Sequence, residues 1–260
     1  MHTTMKAKRW IFYMVIVICC STSFYSCNKD YITGGTLEDV NMYKNLSTTD
    51  VIAKLQGLDT LAQLIDAAGI KDQINAQGTT FFAIPNRSIS AYLDAKTFIL
   101  KNTVGASYSY TLDSLLYNVK NNINGTRDSL LMYLIKATTT PTNMNTVGTR
   151  YPTGLLGDSV VVSYESVKDA SLGYTGIITT LPKLVYFTTL WGAYYPVKDT
   201  IANIPAKQGS RTPVQTAFVN TQNGVINVLR PGSVTISSDY STMTINGNIL
   251  FYWGNINRPH

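Results

Sequence analysis

Histidine, cysteine and the carboxylates are the side chains that most often carry chemistry, and their placement in this chain excludes more than it permits. Histidine occurs only at His2 and His260. With no imidazole between those ends, neither a Ser-His-Asp nor a Cys-His relay can be built from the body of the chain, and histidine-based zinc or copper sites are ruled out with them. No Gly-rich phosphate loop of either common spacing is present. Two acids across a cleft would suffice for glycoside hydrolysis. Glu165, Asp169, Asp199 and Asp239 are the candidates, but no motif joins them, and scattered acids are ordinarily solvated surface. The expectation is a chain with no catalytic residue, no metal and no cofactor. All three cysteines, Cys19, Cys20 and Cys27, lie near the N-terminus, which leaves no pair to cross-link the remainder. Cys27 is the one reactive side chain in a distinctive setting.

Ahead of Cys27 come Lys6, Lys8 and Arg9, an apolar run over 10–18, and small polar residues ending at Ser26. That order is the order of an export signal, and the apolar run is too short to span a bilayer as a helix. Phe24-Tyr25-Ser26-Cys27 resembles a bacterial lipobox, although the usual box has Leu and a small residue where Phe24 and Tyr25 stand. The resemblance implies that residues 1–26 are a lipoprotein signal peptide and that Cys27 is the lipidation site and first residue after cleavage. Each buried acyl methylene contributes roughly 0.8 kcal/mol, so several chains on one cysteine hold stably to a membrane. Asn28-Lys29-Asp30 resembles the short charged tag that sends some lipoproteins to the outer face of the outer membrane. The expected location is therefore the outer membrane, lipid-anchored, at the cell surface.

The elements that follow are read from apolar period and turn residues. Residues 27–46, with Gly34-Gly35, read as a tether, and 47–260 as a single domain. Thr49 or Asp50 is placed to cap a helix over 51–56, and Asp59 a second one in which Leu61, Leu64, Ile65 and Ala68 share a face and Gly69 supplies a left-handed cap. Residues 78–84 read as a strand stopped by Pro85, and Asn86 to Ser88 offer oxygens to a helix starting at Ile89. Helices are expected over 111–119 and 126–135, with polar loop over 137–150. The second half changes period: strands are expected over 159–165, 176–180, 183–189, 216–220, 225–229, 233–237, 243–246 and 248–253, the last two joined by a turn at Asn246-Gly247. Helices first and strands later predict an α+β fold with one core. Without the three basic signal residues, 18 of the 21 Lys and Arg remain against 15 Asp and Glu, a net charge of +3. No clustered basic stripe is present, so nucleic acid is not an expected partner.

Two segments carry a family resemblance. Leu61-Ala-Gln-Leu-Ile-Asp-Ala-Ala-Gly-Ile70 followed by Thr79-Thr-Phe-Phe-Ala-Ile-Pro-Asn86 resembles the first signature of fasciclin-like domains, with Ile84 inserted before the proline. Thr221-Gln-Asn-Gly-Val-Ile-Asn-Val-Leu229 resembles the second, with Asn227 in the place of a histidine. Between them Leu130-Leu-Met-Tyr-Leu134 stands where the family has a Tyr-His pair, with Leu134 after Tyr133. The resemblance spans 48–253 with long inserts in the middle. It implies helices packed on a strand-rich wedge or sandwich, and an adhesive or ligand-presenting module without enzymatic activity.

One insert stands out by composition: Tyr186-Phe-Thr-Thr-Leu-Trp-Gly-Ala-Tyr-Tyr195. Its rings either cover a small core of their own or stand exposed, where flat amphipathic faces stack on sugars or anchor a protein contact. Trp191, Tyr194 and Tyr195 are accordingly the candidate ligand-binding residues. Asp59-Thr, Asp113-Ser, Asp128-Ser, Asp158-Ser and Asp199-Thr, each followed by an apolar residue, resemble sites that some envelope bacteria O-glycosylate, and each also reads as a helix cap or strand edge. Together the features point to a membrane-anchored lipoprotein that binds an extracellular glycan or an envelope protein. The alternative is an accessory structural subunit of an outer-membrane polysaccharide uptake complex.

Overall fold

In the computed structural model, residues 42–167, 181–190, 209–247 and 249 are described. Cys27 lies outside them, as do the strand expected over 176–180 and, apart from Ile249, the one expected over 248–253.

The first helix, α1, spans Thr48–Lys54 and is capped by Ser47, whose Oγ accepts from the Asp50 amide at 3.2 Å. The expected caps, Thr49 and Asp50, are instead inside the helix. The second, α2, spans Asp59–Ala68 and buries Leu61, Leu64, Ile65 and Ala68, ending at Gly69 with φ 66°. Asp59 is its first residue rather than its cap. The cap comes from elsewhere: Asn86 Oδ1 accepts from the Thr60 amide at 3.1 Å, and Asn86 Nδ2 donates to the Asp59 carboxylate. Asn86 is thus the residue that fastens one helix to the start of another. A short turn, α3 (Lys71–Ile74), leads to β1 (Thr79–Ala83), all five residues of which are buried. Pro85 then ends the strand and opens α4 (Asn86–Thr103). In α5 (Leu112–Lys120) Thr111 and Ser114 form a capping box, and Leu115 and Val119 face inward.

The helix expected over 126–135 is broken. Helix α6 covers only Thr126–Ser129, a 3-10 turn covers Leu130–Tyr133, and Leu134–Ile135 forms a strand, β2. The spacing of Leu130, Leu131 and Leu134 suits a helix, but pairing with β1 overrides it: Phe81 stands opposite Leu134 and Thr80 opposite Ile135. The expected loop over 137–150 likewise loses its end to β3 (Thr149–Pro152).

The remaining strands are β4 (Ser159–Ser166), β5 (Lys183–Leu190), β6 (Gly209–Asn220) and β7 (Gly224–Leu229). The sheet order is β2-β1-β7-β6-β5-β4-β3. Every pairing is antiparallel except β1 with β7, which is parallel. The sheet is one rolled layer whose ends touch. Thr153, just past β3, bridges Ile135 of β2, and the Gly154 amide lies 2.8 Å from the Leu134 carbonyl and 3.0 Å from that of Leu131. Strand β6 makes the roll possible. It pairs with β5 along Gly209 to Pro213 and with β7 from Val214 onward, with irregularities flanking Thr216 and with Phe218 at φ 60°.

The core runs from Val51 and Ile52 of α1 through the inner face of α2 to β1 and on to Val160, Val162, Val185 and Phe187. Phe82 and Phe187 have ring centroids 4.5 Å apart, and Tyr133 lies 5.8 Å from Phe187. Tyr43 and Leu46 pack against the same cluster, so chain packing begins ahead of α1. Finally β8 (Ser233–Ile236) and β9 (Met243–Asn246) form a hairpin. Val234, Met243 and Ile245 from it pack with Ala91 and Ala95 of α4 and with Ile249. In the hairpin's turn, Ser237 and Ser241 donate to Asp239 and hold its carboxyl down at about 2. The fold is α+β, as the change of period implies.

Candidate functional site

The segments that carry the family resemblance meet in space. Strand β1 holds the first and β7 the second, and they pair in parallel with Thr80 opposite Val225 and Phe82 opposite Asn227. The Leu130 to Leu134 segment runs into β2 on the other side of β1. Three stretches separated by up to about 140 residues of sequence are therefore three neighbouring strands.

At the centre of this arrangement Asn227 is fully buried. Its Oδ1 accepts from the Phe218 amide at 2.9 Å, and its Nδ2 lies 3.5 Å from Thr139 Oγ1. Thr80 completes the set: its hydroxyl donates to the Ala137 carbonyl at 2.7 Å and accepts from the Thr139 amide at 2.8 Å. An amide side chain offers one acceptor and one donor, the same pair a neutral imidazole offers. Asn227 thus holds the irregular part of β6 on one side and the 137–139 segment on the other. Its role is structural, and Leu134 is likewise a buried strand residue.

A second polar cluster lies on the opposite face of β4, β5 and β6. Register places Ser163, Tyr186 and Pro213 in one row and Val161, Thr188 and Arg211 in the next. Arg211 reaches across β5 to form an ion pair with Glu165, whose other oxygen accepts from Ser163 Oγ. The guanidinium carbon lies 3.4 Å from the centroid of the Tyr186 ring. Only 20% of the Arg211 side chain and 14% of the Glu165 side chain are exposed. Glu165 is therefore not the solvated acid expected from its isolation in sequence, and with both oxygens engaged it is poorly placed to move protons. Among the described residues the Arg211 Nε and the Thr188 hydroxyl are buried without a hydrogen-bond partner.

Beside Arg211 opens a cleft of about 520 Å³, lined by Ser210, Arg211, Thr212 and Pro213 from β6, Arg230 and Pro231 after β7, and Asn246 and Gly247 at the end of β9. Its walls are tied to the rest of the domain. The Arg230 amide donates to the Pro213 carbonyl at 2.9 Å, and the Gly232 amide to Ser88 Oγ of α4 at 3.1 Å. Among the described residues no carboxylate lines the cleft, and the exposed Arg230 guanidinium has no hydrogen-bond or ion-pair partner.

The candidate ligand-binding residues Trp191, Tyr194 and Tyr195 lie outside the described residues. The insert they belong to begins as strand: Tyr186 sits under Arg211 and Phe187 in the core. Asp169 and Asp199 are also outside, while Asp239 is bound up in its hairpin turn. Of the Asp-Ser/Thr sites, Ser114 serves the α5 capping box, Ser129 Oγ donates to the Gly125 carbonyl and Ser159 Oγ accepts from Arg150. Among the described residues no three His, Cys, Asp or Glu side chains converge as a metal site would require, and no helix is long and apolar enough to cross a membrane.

The chain matches no family model and no curated protein. Among solved structures it is similar to a FAS1 domain pair from the insect cell adhesion molecule fasciclin I. The identity is 14% and the TM-score 0.38, over 67% of this chain and 44% of that one.

Proposed function

We propose that this protein is a lipid-anchored envelope protein whose fasciclin-like domain binds a glycan or a neighbouring envelope protein and performs no covalent chemistry. The observation that carries the reading is the meeting of the resemblance segments as adjacent strands β2, β1 and β7, with Phe82 and Asn227 in register. A chance likeness of separate short motifs has no reason to assemble into one contiguous piece of sheet. The anchor rests on Cys27 and the signal-like segment before it. A small rigid domain tied to a membrane by its N-terminal end suits presentation of a binding surface, and the loops and clefts around the sheet are where such surfaces are built.

Fractionation of cells carrying the native chain or Cys27→Ser tests the anchoring. The native protein is expected in the outer-membrane fraction, cleaved from intact cells by added protease. Cys27→Ser is expected in the soluble fraction with an unchanged thermal melt, since Cys27 precedes every packed residue described. Equal membrane retention of both proteins would remove the lipid anchor from the reading.

A further inference from the structure

We propose that the cleft between β6 and the end of β9 binds the anionic group of an acidic glycan, a uronate carboxylate or a sulfate ester, through Arg230 and Arg211. This deepens the ligand-binding reading above and rests on it.

The charge of the lining is the first reason. Arg211 and Arg230 border the space and no carboxylate among the described residues lines it. Glu165 balances Arg211, so Arg230 supplies the uncompensated positive charge and the local field favours an anion. Arg211 is prepared rather than mobile. Glu165 holds one end of its guanidinium, the Tyr186 ring supports its plane at 3.4 Å, and the side chain is four-fifths buried. A guanidinium carries five N–H donors in a fixed fork. Glu165 engages Nη2, which fixes the direction in which the rest of the fork is presented. Arg230 supplies the second guanidinium from solvent, carried on backbone fixed by its bond to Pro213 and by the ring of Pro231.

The rest of the lining selects the class of ligand. Ser210, Thr212 and Asn246 are short hydroxyl and amide side chains, and Pro213, Pro231 and Gly247 leave room between them. Protein partners are gripped chiefly by buried aromatic and aliphatic anchors in complementary pockets, and among the described residues this lining offers no aromatic or long aliphatic wall. A sugar, dense in hydroxyls and bearing one negative group per ring, matches it better than an acidic peptide. The volume falls within the roughly 300 to 1,000 Å³ usual for small-molecule sites.

Titration calorimetry on the detergent-solubilised full-length protein tests the proposal. The ligands are a uronate oligosaccharide, a sulfated oligosaccharide, an uncharged oligosaccharide of the same length and an aspartate-rich peptide. One or both acidic oligosaccharides are expected to bind in preference to the uncharged one and the peptide, with affinity falling as salt is raised; which of the two binds identifies the anion. Arg230→Gln is expected to weaken that binding about ten- to a hundredfold, the range of a charge-assisted hydrogen bond, and Arg230→Lys to weaken it less. Because Arg230 is exposed, both variants should keep the native thermal melt.

Equal binding of the uncharged sugar, undiminished binding by Arg230→Gln, a preference for the peptide, or no binding of either acidic oligosaccharide would each overturn the proposal. A neutral glycan or a protein bound elsewhere would leave the broader ligand-binding function standing while the cleft proposal falls.

Discussion

Gly224→Ala is expected to destabilise the domain by about 3 kcal/mol or more, at or beyond the upper end of ordinary overpacking. The glycine is needed for space, since its φ is not in the left-handed region. A Cβ built there would lie 2.0 Å from the Thr79 carbonyl oxygen and 2.9 Å from its carbon. Both atoms are backbone of β1, the strand that pairs with Gly224 across the parallel ladder of the sheet. Strand β1 cannot retreat, because all five of its residues are buried and β2 holds its other edge. The ladder must therefore open at its first rung, where the Gly78 amide also bonds the Asn223 carbonyl at 2.8 Å. Urea unfolding measures the effect. With a slope of about 2 to 3 kcal/mol per molar for a domain of this size, the midpoint should fall by about 1 M or more. A midpoint within about 0.2 M of the native value, on the same slope, would mean that β1 and β7 do not approach as described.

Phe187→Ala is expected to cost about 3 to 5 kcal/mol, the range for emptying a buried aromatic site. Phe187 is fully buried, and its ring links Phe82 of β1 at 4.5 Å with Tyr133, which leads into β2, at 5.8 Å. It is the residue through which β5 grips the far side of the rolled sheet. Phe187→Leu keeps most of the volume and should cost less. A double-mutant cycle of Phe82→Ala and Phe187→Ala should return a coupling of about 0.5 to 1.5 kcal/mol, as for other aromatic pairs. A loss under about 1 kcal/mol for Phe187→Ala, well below the usual large-to-small cost, would contradict this packing.

Local signals in the sequence locate most helices and strands because their causes are local. The three- and four-residue spacing in α2, the glycine at its end, the apolar run of β1 before Pro85 and the run of valines in β4 each need only a few neighbours. What the sequence hides depends on distant partners. Leu134 and Ile135 continue an apolar helical pattern, and only pairing with Phe81 and Thr80 turns them into strand. The first half of β6 contains Arg211 and Pro213, which break any strand pattern, yet β5 pairs with it throughout. Asn86 reads as the cap of its own helix but serves α2, some 27 residues earlier.

The candidate site was less legible still. Glu165 and Arg211 are 46 residues apart, and nothing in either neighbourhood announces the other. The family resemblance singles out position 227, while the reason for an asparagine there lies in the irregular pairing of β6 at Phe218. Arg230 is an ordinary exposed residue until Pro213 and the end of β9 are placed around it. Composition speaks directly only to one point: with histidine at positions 2 and 260 alone, the body of the chain holds no imidazole for an acid-base relay.

The most direct measurement is a combined glycan and protein array probed with the soluble domain starting after residue 30, with Trp191→Ala and Tyr194→Ala alongside and with the chemistry of any captured ligand followed over time. The expected result is selective capture of a ligand that is released unaltered, with weaker capture by at least one variant if the aromatic insert contributes. Capture unchanged by both variants would remove that insert from the binding surface. A domain that captures nothing on either array, or that converts a ligand in a reaction abolished by replacing a single acidic residue, would contradict a non-catalytic binding module.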